Sequence, residues 1–309
     1  MVQWKQSAAL PYLVVLGALL CLTLSPIIVR YAQHEGIPSI LIAGSRMLLA
    51  ALLITPVVLS RYWEQLKHLT RRDVLFLTLT GIWMCLNGIL VIISLEHIPV
   101  LINQILASTA PIWAALIEVM WLKTRFHPLI LVGITLVIGG SLVISLPQFS
   151  GDQFNTSLLG IVLALLSAIC GAIYTAFGRY SRTKVSTVPY LWIVYGTGGL
   201  FALPIMLIMQ VQITGHTLAG YGWIGVSTIF VQLLGFSGMA FALGYFPATL
   251  IVLMTRSVAL SSAILAFLLF AEVPSPLQIA GSLILFIGIA SAILGQEISR
   301  QKLIGRKKS

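Results

Sequence analysis

Ten stretches of about 20 apolar residues recur along this chain, and a helix of about that length is what a bilayer core about 30 Å thick requires. They run approximately over Leu10 to Val29, Pro38 to Val58, Val74 to Leu95, Val100 to Leu122, Pro128 to Leu146, Leu158 to Gly178, Pro189 to Met209, Trp223 to Leu243, Pro247 to Phe270 and Pro276 to Leu294. Seven of the ten contain no charged residue. In hydrocarbon an open chain satisfies its backbone groups only as helix, and these windows do not alternate as barrel strands do. The expected fold is therefore an all-α integral membrane protein with ten transmembrane helices. Composition agrees: 59% hydrophobic and 8% charged residues, with a mean hydropathy of +1.03, cannot clothe a water-soluble surface. Soluble nucleotide-binding enzymes, disordered chains and secreted disulfide scaffolds are excluded on the same ground.

Lys5 precedes the first window as in a signal peptide, but no small-residue cleavage site stands out, so the window reads as a retained span. Cys21, Cys85 and Cys170 fall inside apolar windows and are assigned no redox or metal role. With ten spans both termini share one side. That side carries Lys5, Arg61, Lys67, Arg71, Arg72, Lys123, Arg125, Arg179, Arg182, Lys184 and the tail's Arg300, Lys302, Arg306, Lys307 and Lys308, against Arg30 alone opposite. The positive-inside rule makes it the cytoplasm of a multi-pass plasma-membrane protein. The net charge of +10 is thus topological, with the tail able to touch anionic lipid, and calls for no nucleic acid.

The chain is duplicated. A shift of 148 positions lays Pro128, Leu129, Gly133 and Gly140 on Pro276, Leu277, Gly281 and Gly288, and one residue more lays Cys21, Arg30 and Tyr31 on Cys170, Arg179 and Tyr180. Five spans per half is odd, so the halves enter the membrane in opposite senses: two inverted five-helix repeats over 1–147 and 148–297, then a basic cytoplasmic tail over 298–309. Inverted repeats build alternating-access transporters with a substrate site near the midplane.

Pro38 with Arg46, the run Ala110-Pro111-Ile112-Trp113-Ala114-Ala115, and Ala271-Glu272 ahead of Pro276 and Gly281 resemble the drug/metabolite transporter superfamily, specifically its EamA-type ten-helix members. The resemblance spans about Leu10 to Leu294. The chain departs from the family's pattern at Ala259, where a proline often recurs, and at Thr124, where a Glu often closes the fourth span. The resemblance implies transport of small metabolites, commonly export, with amino acids, sugars, nucleotide derivatives and phosphorylated sugars among the cargo. In the phosphate-translocating branch, cationic residues on the ninth helix meet the substrate phosphate; Arg256 is similar in placement, without the neighbouring Lys.

Ionisable groups inside a bilayer cost a few kcal/mol or more, so Arg46, Glu118 and Arg256 need partners or a task. Gln104, Ser108, Pro111, Ala115 and Glu118 line one face of the fourth span, and the repeat lays them on Val252, Arg256, Ala259, Ala263 and Ala266 of the ninth. Arg256 lies ~13 Å deep at about 1.5 Å per residue, and Glu118 about 6 Å deep. Two readings follow. Either Arg256 pairs with Glu118, or its guanidinium fork takes a carboxylate or phosphate, helped by Thr255, Tyr174, Tyr195 or Gln232. Gln104, Ser108 and Trp83 join the candidate substrate-binding set, while Arg46 and Glu118 are candidates for gating or coupling. As the single carboxylate within the windows, Glu118 is the group that titrates where a proton is the coupling ion.

One competing class is an intramembrane serine protease, since Gly235-Phe236-Ser237-Gly238 reads as GxSG. A serine nucleophile needs a base, and His34, His68, His97, His127 and His216 all sit in loops or at window ends. The sequence therefore reads as a carrier, not an enzyme, without cofactor or metal, monomeric or homodimeric, exporting a small anionic or zwitterionic metabolite. A neutral or hydrophobic substrate is the alternative if Arg256 is structural.

Overall fold

The structure, a computed structural model, describes residues 9–95, 97–98, 103, 106–121, 127–145, 157–258, 261 and 276–306. Within them every regular element is a helix: α1 (Leu10–Thr23), α2 (Ser25–His34), α3 (Ser39–Arg61), α4 (Trp63–Lys67), α5 (Arg71–Leu95), α6 (Ala110–Met120), α7 (Pro128–Ser145), α8 (Leu158–Arg182), α9 (Thr187–Ile208), α10 (Leu218–Ser227), a π-helical segment (Thr228–Phe236), α11 (Ser237–Ala242), α12 (Ala248–Thr255) and α13 (Pro276–Arg306). Among the described residues seven continuous helical stretches are long and apolar enough to cross a membrane, and Ala110–Met120 and Pro128–Val143 are shorter apolar helices. The protein is a multi-pass, all-helical membrane protein. Leu13, Leu16 and Leu20 on α1, Leu52 and Leu53 on α3, and Leu283 and Ile287 on α13 are exposed, as side chains facing lipid must be.

Prolines punctuate the spans. Pro26 lies in the first turn of α2 and offers no N–H to the Leu22 carbonyl, so the first span divides at Leu24. Pro56 inside α3 and Pro204 inside α9 likewise leave the carbonyls of Leu52 and Leu200 without their intrahelical donor. These two prolines are 148 residues apart, the separation of the repeat.

The helices gather into two compact units, each drawing on both halves of the sequence. One comprises Met1–Cys85 with Phe177–Phe246. Here α3 packs against α9 so closely that a Cβ on Gly199 would lie 2.8 Å from the Leu48 nitrogen, while α1 lies against the π-helical segment and α11, and α2 against α10. Arg179 donates to the Leu243 carbonyl at 2.6 Å and Arg182 to that of Ala240 at 3.0 Å, so both cations sit at the carbonyl end of α11.

The other unit comprises Leu86–Ala176 with Pro247–Ser309. In it α7 and α13 meet backbone to backbone: a Cβ on Gly133 would lie 2.6 Å from the Gly288 carbonyl oxygen, and one on Gly140 2.7 Å from that of Gly281. The 148-residue shift carries Gly133 onto Gly281 and Gly140 onto Gly288, so these are one contact made twice. Such self-complementary, antiparallel pairing is what a two-fold relation between inverted halves requires.

Candidate functional site

The second unit holds the site that the sequence centred on Arg256. The fourth span is interrupted where Ser108 and Thr109 form a turn before α6. Pro111 accounts for it, because it supplies no N–H to the Ala107 carbonyl, and Thr109 N instead bonds Leu106 O at 3.1 Å. The Thr109 hydroxyl donates to Leu106 O and accepts from Trp113 Nε1 at 3.2 Å, so it does not cap α6. The ninth span is interrupted too: α12 stops at Thr255, Arg256 is a turn residue whose N–H bonds Leu253 O at 3.1 Å, and helix resumes at 257–258. Ser108 and Arg256 are repeat mates, 148 apart, so both spans break at the same place in the duplicated plan. Discontinuous helices of this kind bring backbone dipole ends to a membrane midplane.

The register between α6 and α12 follows from two contacts. Glu118 meets Ala248 and Thr249, while Ala110, Ala114 and Val252 share a buried cluster with Ala168 and Ala172 of α8. One further turn along α12 brings Arg256 level with the Ser108 break. Ser108 is buried, Arg256 is half-buried with its Nε unbonded, and the half-buried Tyr174 of α8 lies within electrostatic reach of the guanidinium. The Thr255 hydroxyl donates to Val252 O at 2.7 Å.

Glu118 does not pair with Arg256. Its carboxylate is 1% exposed and receives Ala248 N–H at 2.7 Å, Thr249 N–H at 3.0 Å and the Thr249 hydroxyl at 2.5 Å. The physical reason is that the N-cap of α12 is Pro247, which has no side-chain acceptor, so a carboxylate from α6 supplies it at the positive end of the helix.

The remaining candidates fall elsewhere. Arg46, Tyr195, Gln232 and the half-buried Trp83 belong to the first unit. Tyr195 donates to the Gln232 carbonyl at 3.1 Å and stands 3.1 Å from the Ser237 hydroxyl, and Arg46 lies over the Phe236 ring at 5.5 Å from its centroid. Tyr195 and Gln232 thus belong to the unit that holds Arg46, and Arg256 belongs to the other. Ser237 donates to the Gln232 carbonyl at 3.1 Å, the role of a hydroxyl tying down a helix. Gln104, Thr124, Ala259, Ala263, Ala266, Ala271 and Glu272 lie outside the described residues. Among the described residues no group of three or more His, Cys, Asp or Glu is arranged to hold a metal.

Residues 9–146 and 158–294 each match the EamA-like transporter family. The chain is 25% identical over 287 residues to the uncharacterized transporter YetK of Bacillus subtilis (strain 168), covering 91% of this chain and 84% of that protein. It is 30% identical over 152 residues to the uncharacterized transporter sll1319 of Synechocystis sp., covering 48% of this chain and 45% of that protein. A solved crystal structure of a protein shares the fold, with a TM-score of 0.73 at 16% identity over 94% of this chain and 99% of that one.

Proposed function

Because the chain belongs to the EamA-like transporter family, and is a membrane transporter rather than an enzyme, we propose that it exports a small anionic or zwitterionic metabolite across the plasma membrane by alternating access. Amino acids, organic acids and phosphorylated metabolites are the classes that fit, and both termini lie in the cytoplasm. One observation carries this reading: Arg256 stands at a break in its helix with a buried, unbonded Nε, while the carboxylate expected to neutralise it is committed to capping α12. A guanidinium in a membrane that no described carboxylate meets calls for an anion, and its fork takes carboxylate or phosphate equally well. Tyr174 of α8 lies within electrostatic reach of it. On this reading a coupling proton can occupy Glu118 only when the α12 N-terminus is released, since protonation would set an O–H against N–H donors.

Thermal stabilisation of purified wild-type and Arg256→Gln proteins by amino acids, organic acids, phosphorylated sugars and nucleotides tests the proposal. Stabilisation by an anion in the wild type that vanishes in the variant is the expected result. Equal responses in both proteins, or none in either, would overturn Arg256 as the anion receptor.

A further inference from the structure

The connection from α3 to α5 lies wholly within the unit formed by Met1–Cys85 and Phe177–Phe246, and it carries cations that the Arg256 site does not use. Arg61 is the last residue of α3 and Arg71 the first of α5, with the five-residue α4 between them. At about 1.5 Å per residue α3 is ~35 Å long, against a hydrocarbon core of about 30 Å. Both arginines therefore stand at the level of lipid headgroups.

Both also end stripes that face lipid, since residues three and four apart share a helix face. Leu49, Leu53 and Val57 are exposed at four-residue steps along α3, and Arg61 is the next step. Val74 and Leu75 are exposed on α5, three and four residues on from Arg71. Arg61 and Arg71 are themselves exposed, so each guanidinium continues a strip that faces acyl chains. Between them Trp63 is 46% exposed, the position of an interfacial aromatic anchor.

The protein leaves these two charges unanswered. Of the neighbouring carboxylates, Glu64 bonds Lys67 at 2.8 Å, and Asp73 accepts from the Thr70 hydroxyl at 2.6 Å and from Lys184 at 3.2 Å. Among the described residues no hydrogen bond or ion pair holds Arg61 or Arg71. Nor does the duplicated plan require them. The 148-residue shift lays Arg61 on Met209, Trp63 on Val211 and Arg71 on Ala219, and α9 is joined to α10 there without a helix in the place of α4. Arg71, in the first turn of α5, even opposes the helix dipole.

Exposed cations at headgroup level call for an anion from outside the chain, and the anion that a bilayer offers is a phospholipid phosphate, whose oxygens accept two N–H bonds from a guanidinium fork. We infer that Arg61 and Arg71, on either side of α4, form a binding rim for anionic phospholipid headgroups, with Trp63 seated at the same level. Selectivity follows from charge: a zwitterionic headgroup brings its own ammonium against the same arginines.

The Tm of the full-length protein in lipid nanodiscs tests this, compared between phosphatidylcholine alone and phosphatidylcholine mixed with phosphatidylglycerol. Phosphatidylglycerol is expected to raise the wild-type Tm, more at low salt than at high salt. Arg61→Gln together with Arg71→Gln should abolish that rise and leave Tm in phosphatidylcholine unchanged, whereas Lys67→Gln, which removes a lysine already paired with Glu64, should keep the rise. Titration of short-chain phosphatidylglycerol into the detergent-solubilised protein should show binding about fivefold weaker for each arginine removed. Equal wild-type Tm in the two bilayers overturns the inference. So does a rise that survives the double substitution, which would give it to the basic tail, or one lost equally in Lys67→Gln, which would reduce it to the summed charge of the connection. Stabilisation by inorganic phosphate in detergent equal to that by phosphatidylglycerol would make this a site for free anions and overturn the lipid assignment. Should the double variant fail to fold, the single variants decide: unchanged affinity in both sinks the proposal.

Discussion

The Glu118 carboxylate receives the backbone N–H of Ala248 at 2.7 Å, although 130 positions separate the two residues. This bond and its partners at Thr249 join the end of α6 to the start of α12, in place of the ion pair with Arg256 that the charges alone would favour.

Glu118→Gln puts an amide NH2 against groups that are themselves donors, so one bond is lost and one buried N–H is left unmet. A loss of ~1–3 kcal/mol is expected, read as a lower Tm in detergent. The cap reading further predicts that the pH profile of transport in proteoliposomes keeps its shape in this variant. A flattened profile would instead assign Glu118 the coupling proton.

The α7–α13 seam gives a sharper contrast. A Cβ on Gly140 would lie 2.7 Å from the Gly281 oxygen and from Leu285 N, whereas one on the adjacent Gly139 would meet nothing within 4 Å. Gly140→Ala should therefore destabilise by ~1–3 kcal/mol as the two backbones are forced apart. Gly139→Ala should leave Tm unchanged, and equal effects in the two variants would refute the backbone-to-backbone contact.

Much of this was legible because the duplication leaves side chains as its trace. Gly133, Gly140, Gly281 and Gly288 mark the seam in the sequence, and the structure pairs them across it. Arg256 was legible as an ionisable residue within an apolar window. The cap of α12 was not, since its donors are main-chain N–H groups that any residue other than proline offers; the one written hint is Pro247, an N-cap with nothing to accept. The partition of the polar residues was hidden for a different reason. Spacing places a residue on a helix face but does not say which helices that face meets, so neither the bond of Tyr195 to the Gln232 carbonyl nor the place of Arg46 over Phe236 could be read from it. The π-helix has no local pattern in the sequence to announce it; it packs against α1, where a Cβ on Gly235 would lie 2.8 Å from Leu22 Cδ2.

The basic residues near the span ends differ in what they hold. Arg179 donates to the Leu243 carbonyl at 2.6 Å, and Arg179→Met should cost ~1 kcal/mol by removing a charge-assisted bond at a helix C-terminus. Lys184 is exposed and bonded to Asp73 at 3.2 Å and to the Tyr180 hydroxyl at 2.9 Å. The Tyr180 hydroxyl foremost, and then Asp73, hold its ammonium above the ordinary value of 10.5. A raised lysine contributes its stability fully below the unfolded value and loses it only as pH rises through the folded one. Lys184→Met should accordingly leave Tm unchanged in high salt near neutral pH, with any low-salt difference from wild type fading above about pH 10.5.

The excess of Lys and Arg on one side makes a prediction about topology that needs no substrate. His68 lies in the exposed turn after α4, on the basic side, and Thr214 lies in the exposed loop between α9 and α10, on the opposite side. Cys85 and Cys170 are buried and Cys21 is half-buried, all three within apolar spans, so native thiols should give little background with a membrane-impermeant maleimide. Thr214→Cys should label in intact cells, and His68→Cys only after the membrane is opened. Both sites labelling from outside would mean that an even number of spans separates them and not the five counted here, and the reverse pattern would turn the whole protein over. Either result would remove the cytoplasmic placement of both termini, because each span fixes the side of every loop that follows it.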